Sequence, residues 1–243
     1  FPSRGARVRI PLPALMLNPI SFVYEVLLKR EIVKSPIPVN HILLVLDDTD
    51  LLSDRVGMEK LRSFIKWCHA LKIPIISVYI SVIQEQMDRS LFERACSHLR
   101  EEIIRVLSKE KASIVIYADK SELEPAYTKI IGAGDTENKI YLSIGFTGRR
   151  ELTKAVQEIA KKVQGGEIEP EEVDEKLIES ELIFKSEPDL VIRSGAIRLT
   201  DFLIWQSVYT EFYFTDVNWV QFRKIDLLRA IRDFKMRERR FGR

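Results

Sequence analysis

ILLVLD, residues 42–47, is apolar at every position until it ends in a carboxylate, and the fold is read outward from it. A strand with one wet face alternates apolar and polar side chains. A run with no alternation belongs in the middle of a parallel sheet, covered on both faces. Before it, FVYEVLLKREIVK at 22–34 has helical spacing and predicts an amphipathic helix, stopped by SPIPVN with Pro36 and Pro38. After it, VGMEKLRSFIKWCHALKI predicts a helix and PIISVYIS a second buried strand. DRSLFERACSHLREEIIRVLS at 88–108 predicts a long helix, SIVIYA a third strand and KIYLSIGF, reaching Phe146, a fourth. RRELTKAVQEIAKKVQ reads as a helix, the acidic stretch EIEPEEVDEKLIESEL as a short helical connection, and DLVIRS as a fifth strand before the final helices. This alternation predicts an α/β fold, a single domain with a mostly parallel central sheet flanked by helices. Residues 1–38 read as an N-terminal arm and amphipathic helix, and 39–243 as the body. Ligands of open parallel sheets lie outside the carboxyl ends of the strands. Asp47 and Arg193 both fall at such ends, so an acid and a base are expected to face one crevice.

Bulk composition narrows the partners. The 243 residues carry a formal net charge of +2, with 46% hydrophobic and 30% charged residues. That balance suits a globular protein and gives no electrostatic case for nucleic acid. Cys68 and Cys96 lie in apolar helical patterns without metal-ligand spacing and read as buried free thiols of a reducing, cytoplasmic protein. Arg4, Arg7 and Arg9 precede IPLPALMLNPISFVYEVLL, which prolines break too often for a signal peptide or a bilayer span. Two readings of this arm stay open: a peripheral rest on a membrane surface, or packing against the body or a partner chain. P-loop, GxGxxG, HExxH and GxSxG patterns are all absent.

The chemistry is concentrated late in the chain. RSGAIRLTDFLIWQSVYTEFYFTDVNWVQF, residues 193–222, sets Arg193, Arg198, Thr200 and Glu211 in an apolar, aromatic stretch, and RERRFGR with Arg240 follows at the terminus. Burying such charges costs on the order of several kcal/mol unless something pairs with them. The arginine fork fits phosphate oxygens two at a time. The expectation is an anion site for a diphosphate, facing an apolar cavity. Against it stands a plainer reading, in which Arg193 and Arg198 pair with Asp201 or Glu211 and Arg237, Arg239 and Arg240 complement a helix dipole. His41, before an apolar strand, reads as a packed or capping residue.

DLVIRSGAIRLTDFLIWQSVYTEFYFTD followed by RRFGR resembles the C-terminal pattern of cis-prenyltransferases, the undecaprenyl and dehydrodolichyl diphosphate synthase family. That pattern is D-L-x-I-R-T-S-G-E-x-R-L-S-N-F-L-L-W-Q-x-x-Y-x-E-x-Y-F-T, then R-R-F-G. Upstream, IPVNHILLVLDD resembles I-P-x-H-V-A-I-I-M-D-G-N, so the likeness covers about residues 24–243. It implies a dimer of α/β chains that condense isopentenyl diphosphate repeatedly onto an allylic diphosphate, with Mg2+. By position, Arg193, Arg198 and Thr200 match the residues gripping isopentenyl diphosphate. Arg240 and Gly242 match an R-x-G motif that reaches into the neighbouring subunit's active site. Asp47 matches the carboxylate that organises Mg2+ and the allylic diphosphate, and Glu211 a carboxylate of the metal and subunit-contact region.

Departures from the pattern are concentrated where the allylic diphosphate would sit. The family follows its aspartate with G-N-x-R; here Asp47 is followed by Asp48, Thr49, Asp50 and Leu51. The segment up to Gly57 is shorter than the family's, and Ile83, Gln84 and Glu85 stand where S-x-E-N-W is expected. The spacing from Arg193 to Arg198 is also shorter. Carboxylates in place of amides repel a diphosphate by about 1 kcal/mol or more each. The chain is therefore most similar to the non-catalytic, Nogo-B-receptor-type subunit of a heteromeric cis-prenyltransferase. On that expectation it pairs with a homologous catalytic subunit, as a heterodimer or heterotetramer, to make a long polyprenyl diphosphate carrier lipid, and is weakly active or inactive alone. It would donate Arg240 and Gly242 to the partner, with Mg2+ held by the partner. Two alternatives remain: a self-sufficient homodimeric synthase with an atypical diphosphate loop, and a non-enzymatic scaffold that binds prenyl diphosphates.

Overall fold

The computed structural model describes residues 18–52, 55–82, 88–119, 125–131, 137–182, 184, 187–195, 203 and 205–237. Its strands are β1 (His41–Asp47), β2 (Ile75–Ser81), β3 (Ser113–Asp119), β4 (Pro125–Ile131), β5 (Lys139–Ile144), β6 (Leu190–Ser194) and β7 (Glu211–Thr215). They form one sheet in the order β4-β3-β5-β2-β1-β6-β7. The β3–β4 pairing is antiparallel and all the others are parallel. The helices are α1 (Asn18–Lys34), α2 (Asp48–Leu52), α3 (Arg55–Ala70), α4 (Arg89–Leu107), α5 (Gly148–Gln164), α6 (Glu175–Glu181) and α7 (Lys224–Met236).

The unalternating run behaves as its composition requires. Ile42, Leu44 and Leu46 enter one core with Phe64, Leu99 and Leu228, while Leu43 and Val45 enter a second with Phe184, Val191 and Leu203. Both faces of β1 are thus dry. Two strands depart from expectation. Residues 211–215 extend the sheet as a sixth parallel strand beyond the five read along the chain, and 125–131 add an antiparallel edge. EFYFT is half-buried along most of its length at the sheet edge, so it lacks the continuous burial that marks β1.

Strand order sets the place for a ligand. From β1 the chain leaves toward β2 on one side, and from β6 toward β7 on the other. Between neighbours whose connections diverge, a crevice opens at the carboxyl ends. β1 and β6 are those neighbours, with Ile42 level with Leu190 and Val45 level with Arg193.

Packing around that crevice is tight. A Cβ on Gly57 of α3 would lie 2.1 Å from the Asp50 carbonyl oxygen, so only glycine lets α2 and α3 approach this closely. The same glycine's carbonyl accepts the indole N–H of the buried Trp219 at 3.0 Å. Trp219 in turn packs edge-on against Phe64, ring centres 5.9 Å apart.

α1 is apolar on two faces, not on one as expected. Leu28 and Ile32 are buried. Glu25 and Glu31 reach α7 at Lys224 (3.6 Å) and Arg232 (3.8 Å), and the Arg229 guanidinium lies 5.2 Å from the centre of the Tyr24 ring. Cys68 and Cys96 are buried free thiols, and burial drives the Cys68 thiol far above its ordinary value, leaving it unreactive. Among the described residues no helix is long and apolar enough to cross a membrane.

Candidate functional site

The crevice holds the acid and the base expected there, joined to each other. Arg193, near the end of β6, donates from Nη2 to Asp47 Oδ2 at 2.6 Å and from Nη1 to the Val45 carbonyl at 3.3 Å. Its side chain is 6% exposed and that of Asp47 35%. The third guanidinium nitrogen, Nε, is buried with no partner among the described residues. One residue further on, the Ser194 hydroxyl donates to the Val217 carbonyl at 2.6 Å, and Gly195 turns the chain at φ +74°. Arg193 therefore pairs with Asp47 and not with Glu211, one partner the plainer sequence reading offered; the other, Asp201, lies outside the described residues.

Past Asp47 the chain enters α2 at once, and the acids of this turn bond to its own backbone. Asp50 Oδ2 accepts the Asp47 N–H at 2.9 Å, and Asp48 Oδ1 accepts the Thr49 N–H at 2.8 Å. Burial raises the Asp48 and Asp50 carboxyls above their ordinary range, and the charge of Asp47 raises them further. The Arg193 guanidinium partly offsets this at Asp50. Three carboxylates thus crowd one turn, with Asp47 bonded to the guanidinium and Asp50 within its electrostatic reach. Such a cluster accommodates a dication more readily than a bare anion.

Among the described residues no three His, Cys, Asp or Glu side chains converge as a protein-only metal cage. Mg2+ does not need one, since it is commonly held by one or two carboxylates together with substrate phosphates. Asp47, partly exposed at the crevice, fits that mode.

Glu211 does not join Asp47 within the chain. It begins β7 level with Leu190, which is level with Ile42, five positions before Asp47. That places it about 16 Å away along the strand direction alone, at the amino end of the sheet. There its Oε2 meets Arg237 Nη1 at 2.8 Å, while Arg237 Nη2 meets Asp233 Oδ2 at 2.8 Å. One chain cannot make both carboxylates ligands of a single metal, because the parallel register holds them at opposite ends. Arg198, Thr200, Arg240 and Gly242, with Ile83, Gln84 and Glu85, lie outside the described residues.

His41 is a packed residue. Its ring spans Ser77 Oγ at 2.7 Å and the Glu187 carbonyl at 3.0 Å, and burial lowers its pKa below the ordinary value. Sequence reasoning missed a buried clasp centred on Glu151. Glu151 accepts the Phe184 N–H at 2.8 Å and the Gln206 amide at 3.0 Å, while that amide also donates to the Phe184 carbonyl at 2.9 Å. It joins the first turn of α5 to the turn six residues beyond Thr200. An acid in a helical first turn is common, and nothing in the local pattern marks this one as buried.

Comparison with known proteins follows from this geometry. A family model described as "Putative undecaprenyl diphosphate synthase" matches residues 49–242, starting just past Asp47. A "tritrans,polycis-undecaprenyl-diphosphate synthase (geranylgeranyl-diphosphate specific)" of Methanocaldococcus jannaschii is 34% identical over 268 residues, covering 99% of this chain and 95% of that protein. An "isoprenyl transferase" of Thermus thermophilus is 30% identical over 257 residues, covering 93% and 97%. Among solved structures, lavandulyl diphosphate synthase from Lavandula x intermedia, in complex with dimethylallyl diphosphate, matches with a TM-score of 0.67. That match covers 84% of this chain and 98% of the other at 24% identity, and speaks for the fold alone.

Proposed function

Because this chain belongs to the undecaprenyl diphosphate synthase family of prenyltransferases, we propose that it is a cis-polyprenyl diphosphate synthase, acting as a homodimer that extends an allylic diphosphate with isopentenyl diphosphate. The observation that carries this reading is the Asp47–Arg193 pair at the switch point of a parallel sheet, in a chain similar to synthases over nearly its whole length.

In this reading Asp47 would hold Mg2+ beside the allylic diphosphate, and the metal would supply positive charge to offset that of the leaving diphosphate. Arg193, with Arg198 and Thr200, receives the diphosphate of isopentenyl diphosphate. Its unpartnered Nε is a donor already stripped of water, and Asp47 keeps the guanidinium in place. Arg240 and the Gly242 N–H serve the neighbouring subunit's site, and Glu211 belongs to the subunit contact.

A second reading keeps the same reaction but divides it between two chains. This chain then pairs with a homologous catalytic subunit that binds the allylic diphosphate and donates Arg240 and Gly242 in trans. Favouring it is the acidic turn itself. Backbone N–H groups that would receive an anion are occupied by Asp48 and Asp50.

The test is to incubate the purified chain with geranylgeranyl or farnesyl diphosphate, isopentenyl diphosphate and Mg2+, and to follow products by mass spectrometry. Elongation by the chain alone supports the homodimeric synthase. Elongation only after adding a homologue that carries D-G-N and S-x-E-N-W supports the divided enzyme, and deletion of 240–243 then abolishes it. Absence of product in both arms overturns both readings and leaves a scaffold that binds prenyl diphosphates.

A further inference from the structure

α1 separates its charges by face. At 100° per residue, Leu28 and Ile32 point to α7, and Phe22, Val23, Leu27 and Val33 point away from it. These four are between 48% and 83% exposed, and Val33 is the most exposed of them. Arg30 and Lys34 are exposed on the same outer side. Of the helix's two acids, Glu25 is mostly buried against Lys224 of α7, while Glu31 leans to Arg232 of α7 with its side chain still 56% exposed. Lys29 shares Glu25 with Lys224, so one ammonium there is in excess. Neither Arg30 nor Lys34 has a carboxylate partner among the described residues. α7 thus takes up the helix's negative charge, and its outer face keeps large apolar side chains and cations.

That face has no hydroxyl or amide among its outward residues that could fix the register of a protein partner, and the acid on its flank, Glu31, is held toward Arg232. It offers instead what an anionic bilayer interface accepts, with apolar groups to enter the acyl boundary and flexible cations to remain beside the phosphates. We propose that the outer face of α1, through Phe22, Val23, Leu27 and Val33 flanked by Arg30 and Lys34, docks this chain in the plane of an anionic lipid surface. The chain lies on the membrane and does not cross it. This inference rests on exposure and charge alone, so it stands or falls separately from the reaction proposed above.

The experiment is vesicle flotation of the full chain, with phosphatidylcholine vesicles in one arm and phosphatidylcholine mixed with phosphatidylglycerol in the other. The expected result is binding to the mixed vesicles that weakens with added salt. R30Q and K34Q each lower it about fivefold. F22S with V33S removes it, while circular dichroism and the thermal midpoint stay unchanged because these side chains are exposed. No binding to mixed vesicles overturns the proposal. So does binding that survives both sets of α1 substitutions yet disappears when residues 1–17 are deleted. A dimer that dissociates on F22S with V33S, read by light scattering, also overturns it, and assigns the face to a second copy.

Discussion

Arg193 and Asp47, 146 residues apart in sequence, meet at 2.6 Å where β6 and β1 lie side by side. The guanidinium is almost wholly enclosed and the carboxylate is not, so the two do not depend on each other equally.

Removing the acid therefore costs more than removing both partners. Asp47→Ala leaves a buried cation with the Val45 carbonyl as its hydrogen-bond partner and only the charge of Asp50 nearby, and should lower stability by about 2–3 kcal/mol. Asp47→Ala combined with Arg193→Met should recover at least half of that. Urea unfolding of the two variants measures the difference, and simple additivity would mean the contact contributes nothing.

The acidic turn predicts a pH dependence of definite sign. Asp48 and Asp50 have folded-state pKa values raised mainly by burial, so the folded chain binds their protons more tightly than the unfolded chain. Their stabilisation is complete below the ordinary aspartate value of about 3.9 and is lost as pH rises through the higher folded values. Asp48→Asn with Asp50→Asn keeps acceptor oxygens for the Thr49 and Asp47 amides while removing the charge. Stability at neutral pH should rise, and its decline above pH 4 should flatten. Affinity for an allylic diphosphate without metal should rise about tenfold or more, measured by calorimetry, since each repulsive charge removed is worth about 1 kcal/mol.

His41 has the opposite sign. Burial depresses its pKa, so its contribution is present above the ordinary histidine value of about 6.5 and is lost as pH falls through the lower folded value. The urea midpoint should drop between pH 7.5 and 5. In His41→Gln that drop should shrink, while stability at pH 7.5 falls by about 1–2 kcal/mol through the weakened bonds to Ser77 and Glu187.

Gly57→Ala should damage the crevice from outside it. The added methyl would lie against the Asp50 carbonyl at a distance no packing tolerates, and the atom it meets is backbone, which no rotamer change can move aside. α2 and α3 must separate, at a cost of about 2–3 kcal/mol. The Trp219–Gly57 bond should loosen with them, and a shift in tryptophan fluorescence would report it.

The architecture was readable where burial leaves a compositional trace. β1, β2, β3, β5 and β6 are each apolar runs, and the strand ends put Asp47 and Arg193 on the same side of the sheet. That the two residues touch was not readable, because it follows from β6 adding beside β1, and strand order is not encoded locally. β7 escaped notice for a related reason: an edge strand needs only partial burial, so EFYFT carries a weaker signal. The family resemblance placed Glu211 in a metal region, but register separates it from Asp47 within one chain. The acidity of residues 48–50 was legible; its attachment to the turn's own amides depends on α2 beginning without a loop.

The central place of β1 also has a kinetic meaning. Its partner β6 lies at residues 190–194, so during synthesis one edge of β1 stays unpaired until those residues have emerged. Long-range parallel pairing is slow, and an open apolar edge invites association with other chains. The ligand crevice is therefore among the last parts of the molecule to exist. Nascent chains stalled before residue 190 should need a chaperone to cover β1.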